Sequence, residues 1–377
     1  MDGALPQPTP INFHYSGNIR RYYVAAEEVT WDFAPTGWDN WLGLSLKDSP
    51  RAQAAGIVQQ GTKWQKAVYR GYTDATFTTP VPQPAWQGVQ GPTLRSEVGD
   101  MIEILFVNRL QQNYASMHSM GLAYSKDNEG SLYPNNTSPG LASPVAPGSA
   151  VAPGGCTVYK WLVSDGAAPP PGQPSQQWGY HSYVSFPQDS YAGLIGSQIV
   201  YQPGQMKTTM ASYREFALLF MDFDESQSFM SAVNAHAGGR SGSLSARGSP
   251  LDSSHNPAND QHGVPSAGGS AAPSPSSSFA PSHSSAGTSN SGNYSIWHPQ
   301  LVNLGSSGQI GSAPKFYTLN GYVFANGPSF EMCLNDKVIW YVYAYGSASH
   351  VFHMHGNGFV EAGMPNMNRA SIGTSMF

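Results

Sequence analysis

Gly99-Asp100-Met101-Ile102-Glu103-Ile104-Leu105-Phe106-Val107 opens on a Gly-Asp turn signal and continues as an alternating run. Ile102, Ile104 and Phe106 share one face of an extended chain and Glu103 falls on the other, because side chains on a strand repeat with a period of two. Outward from this stretch lie further short apolar runs at Tyr22 to Trp31, Thr157 to Val163 and Leu194 to Tyr201. Gly, Pro and Asn separate them, and no 3.6-residue period is sustained. A new strand opens at Tyr213 to Phe223, and the same patterning is met at Phe316 to Phe324 and Lys337 to Tyr345. Composition agrees: 11% charged residues, 12% aromatics, 41 Gly and 30 Pro in 377 residues suit many short strands and tight turns. The expected class is all-β, built as sandwiches.

Charge and composition exclude some functions. A net charge of -5 leaves no basic stripe to neutralise phosphates, so nucleic-acid binding is not expected. No window approaches the roughly 20 apolar residues that span a bilayer. The start, Met1-Asp2-Gly3-Ala4, lacks the basic and apolar regions of a signal peptide. Cys156 and Cys333 alone define no disulfide framework. Sequons at Asn135, Asn136 and Asn293 suit a secreted glycoprotein.

Two units are expected, 1–206 and 207–377, the second interrupted at about 224–293 by a tract rich in Ser, Gly, Ala, Pro and Asn that reads as disordered. His236, His255, His262 and His283 are widely spaced within it and read as solvated loop residues. Cys156, beside Gly154-Gly155 at a strand start, reads as a buried thiol.

The most specific string is Ser349-His350-Val351-Phe352-His353-Met354-His355-Gly356-Asn357-Gly358. On a regular strand His353 and His355 project together and His350 projects from the opposite face, so one segment can serve two metal sites. Neutral imidazole is a good ligand for copper and zinc. The alternative is a His-rich strand buried without metal, which would strand several polar nitrogens.

His-x-x-His-x-His-Gly resembles the third copper motif of multicopper oxidases. Asn320 to Asn326 and Met332 to Trp340 are similar to the even-numbered domains of the ceruloplasmin and hephaestin type. Arg21 to Pro35, Gly91 to Asp100, Ser125 to Pro134 and Ala192 to Gly196 resemble the same subfamily independently. The resemblance implies tandem cupredoxin-like, plastocyanin-like Greek-key β-sandwiches, the second incomplete. It implies that His350 is a blue-copper ligand and that His353 and His355 are ligands of a trinuclear cluster.

Departures bear on activity. Active members have His-x-His-Gly where this chain has His118-Ser119-Met120-Gly121, and His-Ser-His where it has His181-Ser182-Tyr183. His118 and His181 are carried over as metal ligands; Met120 and Tyr183 are poor replacements for imidazole at cupric copper. Such a degenerate first half followed by a complete third motif matches a terminal domain pair, and the expected partners include the remaining domains of a longer oxidase. The later Cys, His and Met of a blue-copper site are not found after Gly358, and Met364 and Met367 read as packing or loop residues.

The implied activity is oxidation of ferrous iron with reduction of dioxygen to water, in an extracellular or cell-surface setting. Glu361 and Asp336 are weak candidates for steering the iron. Two rival readings stand beside it: a non-catalytic module like the coagulation-factor A domains, and a zinc or single-copper site at His353 and His355 without turnover. Asp127 to Glu129 with Asn135 offer oxygen donors of the kind calcium takes.

Overall fold

The computed structural model describes residues 1–11, 13–131, 148–237 and 313–361, and the backbone at 364–367 and 369–372. One four-stranded sheet runs in the order Lys63–Tyr72, Ile19–Asp32, Met101–Asn108, Cys156–Leu162. A second runs Leu94–Glu97, Ile195–Tyr201, Ser175–His181, His118–Ser119. The long Ile19–Asp32 strand is antiparallel to Lys63–Tyr72 and parallel to Met101–Asn108, with Ile19 opposite Met101.

The alternation in Met101–Asn108 does what its period requires. Ile102, Ile104 and Phe106 all enter one core, meeting Val24, Tyr69 and Trp161 of their own sheet and Leu94, Tyr180 and Val200 of the other. Each such side chain contributes about 1.5–3 kcal/mol when fully buried. The all-β sandwich is therefore as expected. Glu103, on the other face, is buried too: Arg21 Nε donates to its carboxylate at 2.9 Å and the Gly3 amide at 3.0 Å.

A third sheet runs Lys315–Leu319, Arg214–Asp224, Val338–Tyr345. It shares a second core with the sandwich, in which Phe33, Trp64, Tyr191 and Ile195 meet Leu219, Phe223, Phe316 and Tyr345. Phe33 stacks on Phe316 at a centroid distance of 4.0 Å. Beside that stack, fully buried Lys66 donates at 2.5 Å to both Glu225 Oε1 and the Tyr191 carbonyl, and its ammonium lies 4.3 Å from the Phe223 ring centroid. Burial holds the Lys66 pKa below that of an ordinary lysine, against the pull of Glu225. Further along, Glu215 accepts hydrogen bonds from Tyr341 at 2.6 Å and Tyr201 at 2.9 Å and pairs with Arg95.

A short hairpin, Trp38–Asp39 with Leu44–Ser45, is fixed by buried Asp39, which accepts from Arg51 Nε at 3.0 Å, Ser49 Oγ at 2.8 Å and the Leu42 amide at 3.1 Å. Burial raises the Asp39 pKa, but Arg51, Ser49 and the Leu42 amide together bring it below the usual carboxylate value.

Three expectations are corrected. The insert does not begin at 224: Phe229 and Met230 are buried, Ser231–Ala237 is a helix, and its Asn234 side chain accepts from the Gln65 amide at 2.7 Å. The remainder of that tract, 238–293, lies outside the described residues, as do the three sequons. The strand expected over Phe316 to Phe324 stops at Leu319, because Asn320, Gly321, Phe324 and Ala325 all have positive φ. Asn320 turns the chain there, its Oδ1 accepting from the Leu219 amide at 2.7 Å and its Nδ2 donating to the Trp86 carbonyl at 2.6 Å. Cys156 is exposed: it shares strand parity with Val158 and Lys160, whereas Tyr159 and Trp161 point inward.

Candidate metal centres

The His350–His353 strand pairs antiparallel with Arg369–Ile372. His353 and His355 project together, with stacked rings and Nε2 atoms 3.0 Å apart. His350 points elsewhere, its ring 5.4 Å from Phe220. It lines a cavity of about 500 Å³ with Trp86, Tyr317, Tyr322, Phe324 and Phe330. Its Nε2 has no hydrogen-bond partner among the described residues. His353 and His355 therefore lie side by side and His350 apart from them, with His355 two residues beyond the end of the strand.

The entry to this segment is set by a residue the sequence did not announce. Buried Asp222 accepts from the Ser347 amide at 2.8 Å and the Ser347 hydroxyl at 2.6 Å. Gly346 precedes this anchor at φ +111, and a Cβ there would lie 1.4 Å from Asp222 Oδ1. Only glycine fits both the backbone conformation and the space.

In the first sandwich, His118 and His181 are direct cross-strand partners with ring centroids 5.4 Å apart. Both are buried, at 9% and 2% exposure. His118 Nδ1 lies 2.7 Å from the Glu129 carbonyl and His181 Nδ1 lies 2.8 Å from the Ser182 carbonyl. A carbonyl only accepts, so each Nδ1 carries the hydrogen and each neutral ring keeps its lone pair on Nε2. Burial holds His118 below the ordinary imidazole pKa despite the Glu129 carbonyl. Burial, with His118 adding to it, pushes His181 down to about 3. Neutral imidazole is the form that ligates metals.

The Tyr183 ring sits 5.1 Å from His118 and 5.5 Å from His181. Its backbone is held by buried Asp189, which accepts from Ser182 Oγ at 2.6 Å and from the Val184 and Ser185 amides at 3.0 Å. The Met120 sulfur accepts from Tyr345 Oη at 2.8 Å. Tyr345 in turn packs edge-on against His181 at 5.6 Å.

The five expected ligands thus form two pairs and a separate His350. Among the described residues, no three His, Cys, Asp or Glu side chains converge as a metal cluster. The donor set fits copper at each pair by imidazole type, but not a trinuclear cluster on the His118 side, where a thioether committed to Tyr345 and a phenol replace two imidazoles. Glu129 is paired with Lys126 at 2.8 Å, Asn135 lies outside the described residues, and nothing described supports a calcium site. Asp336 is engaged by Arg214 at 2.5 Å and by the Cys333 amide at 2.8 Å.

No protein-family model matches the chain. It is similar to hephaestin of Rattus norvegicus, 28% identical over 351 residues that cover 90% of this chain and 25% of the relative. It is similar to ferroxidase HEPHL1 of Homo sapiens, 28% identical over 354 residues, 91% of this chain and 25% of the relative. Coagulation factor V of Pseudonaja textilis is 37% identical over 219 residues, 56% of this chain and 14% of the relative. The chain spans about a quarter of the length of the hephaestin-type relatives. The sequence kinship implied by the motifs is borne out. Among the described residues, no helix is long and apolar enough to cross a membrane.

Proposed function

We infer that this relative of the hephaestin-type multicopper oxidases is a copper-binding portion of a ferroxidase-type enzyme. The observation that carries the reading is the His353–His355 pair. Two imidazole nitrogens about 2.0–2.1 Å from one ion, at right or tetrahedral angles, lie roughly 2.9–3.4 Å apart. Their Nε2 atoms lie 3.0 Å apart, a separation that suits one shared ion and equally an N–H···N hydrogen bond between the rings.

Bound copper would supply one-electron oxidation of ferrous iron and reduction of dioxygen to water. His353 and His355 would hold the ion through Nε2. His350, lining a cavity walled largely by aromatic side chains, would hold a second ion. Asp222 and Ser347 keep the strand carrying these ligands from sliding. His118 and His181 offer Nε2 lone pairs from a dry, preorganised seat. An extracellular or cell-surface setting belongs to the same reading and is supported by the kinship and the sequons.

A second reading, a non-catalytic binding module, is supported by Met120 and Tyr183 and by the similarity to a coagulation factor V. Copper titration followed by paramagnetic resonance separates the two. The ferroxidase reading expects cupric ion with nitrogen hyperfine structure, lost in His353→Ala/His355→Ala, and oxygen uptake coupled to ferrous oxidation. Absence of copper at that pair supports the module, and zinc bound there in preference to copper supports a site without turnover.

A further inference from the structure

Asn-Gly occurs three times in the sequence, at Asn320-Gly321, Asn326-Gly327 and Asn357-Gly358. In this dipeptide the glycine amide nitrogen can reach the asparagine Cγ, because no side chain at the second position hinders it. The fold treats the three differently. Asn320 is 1% exposed and clamped at both ends of its amide. Its Oδ1 accepts from the Leu219 amide at 2.7 Å, and its Nδ2 donates to the Trp86 carbonyl at 2.6 Å and the Ala217 carbonyl at 3.2 Å. Asn326 is 7% exposed and accepts through Oδ1 from the Thr36 hydroxyl at 2.7 Å and the Thr36 amide at 3.1 Å. Its Nδ2 donates to the Trp38 carbonyl at 2.8 Å and the Val323 carbonyl at 3.0 Å. Asn357 is exposed, and among the described residues its side chain makes one long bond, Nδ2 to the His355 carbonyl at 3.4 Å. It lies between the strand that ends at His353 and the one that begins at Phe359, beside Gly356, where an added Cβ would meet nothing within 4 Å.

We propose that Asn357 is a site of spontaneous deamidation in the folded chain, and that Asn320 and Asn326 are protected from it. The Gly358 nitrogen gives up its proton, bonds to Asn357 Cγ and displaces ammonia, closing a cyclic succinimide. Water then opens the ring at either carbonyl. One opening gives aspartate; the other gives isoaspartate, whose main chain runs through the former side-chain carbon and is longer by one methylene. Water is consumed and ammonia released, with no oxidant or reductant involved. Either product sets a new carboxylate two residues beyond His355, and the isoaspartyl form also lengthens the link to the Phe359–Glu361 strand. At Asn320 and Asn326 the same ring closure requires the hydrogen bonds at both ends of the amide to break first, so the reaction waits on local opening.

The test incubates the full chain at neutral pH and physiological temperature, folded and, in parallel, unfolded in guanidinium chloride. Each site is followed by peptide mass spectrometry for the gain of about 1 Da that accompanies replacement of an amide by an acid. In denaturant the three sites should react at similar rates. In the folded chain Asn357 should keep its denatured rate to within a few-fold. Asn320 and Asn326 should fall more than about tenfold below theirs, the factor that corresponds to a local opening of about 1.4 kcal/mol. Gly358→Ala should slow Asn357 in both states, because the added methyl crowds the attacking nitrogen. Equal rates at the three sites in the folded chain, or a rate at Asn357 that Gly358→Ala leaves unchanged, overturn the proposal.

Discussion

Lys66→Met tests whether the contact between the sandwich and the third sheet is organised by charge as well as by shape. Methionine matches the lysine stem in volume but leaves the Glu225 carboxylate without its cation at a site with no solvent access on either side chain. Breaking a buried pair in this way costs about 3–5 kcal/mol. The ammonium's approach to Phe223, worth about 2 kcal/mol when desolvated, is lost in the same step and is not additive with it. Set against the roughly 5–15 kcal/mol that stabilises a typical folded protein, this is a large fraction. Lys66→Met/Glu225→Leu removes both charges and should return to within about 1 kcal/mol of the parent or exceed it, because a well-packed apolar pair escapes the desolvation penalty. Urea unfolding with an unchanged m-value reads the difference directly. A single variant that loses less than about 1 kcal/mol, or a double variant no more stable than the single, would refute the argument.

Asp39→Asn should destabilise the chain at neutral pH, and the deficit should shrink in acid. Because the folded carboxyl lies below its unfolded value near 3.8, the unfolded chain takes up the proton first as pH falls. The contribution is therefore complete above that value and disappears as pH drops through the lower folded one, which urea midpoints between about pH 5 and pH 2 will show. Gly346→Ala places a methyl where Asp222 Oδ1 already sits and should cost at least about 3 kcal/mol. It should also weaken copper binding at His353 and His355, measured by calorimetric titration of whatever fraction remains folded.

The parts of the structure that the sequence made legible are those governed by a local period. Ile102, Ile104 and Phe106 had to share a face and do; the rings of His353 and His355 also lie side by side, though the strand ends at His353. What stayed hidden depends on partners far along the chain. The period put Glu103 on the opposite face but said nothing of its burial, because Arg21, its counter-ion, is 82 positions away. Nothing local marked Asp222, whose partner Ser347 lies 125 positions along the chain. Polar, small-residue composition made 224–237 resemble the low-complexity tract that follows, although Phe229, Met230 and Asn234 were the signal that it docks. Cys156 was misjudged because its neighbouring glycines drew more weight than its parity with Val158 and Lys160. The substitutions Met120 and Tyr183 were plain in the motif, but the diversion of the methionine to Tyr345 needed the third sheet in place.

The stack of Phe33 on Phe316, together with the Trp31 indole donating to the Gly321 carbonyl across 290 residues, also sets a schedule for biosynthesis. A ribosome adding about 5–20 residues each second needs tens of seconds to travel from one partner to the other. Throughout that interval Phe33 and Trp64 lack Phe316, the ring that stacks on one and packs edge-on against the other. Chaperone occupancy on stalled chains should accordingly fall once residues beyond 316 have left the exit tunnel, since Phe316 then covers the apolar face left open by Phe33 and Trp64.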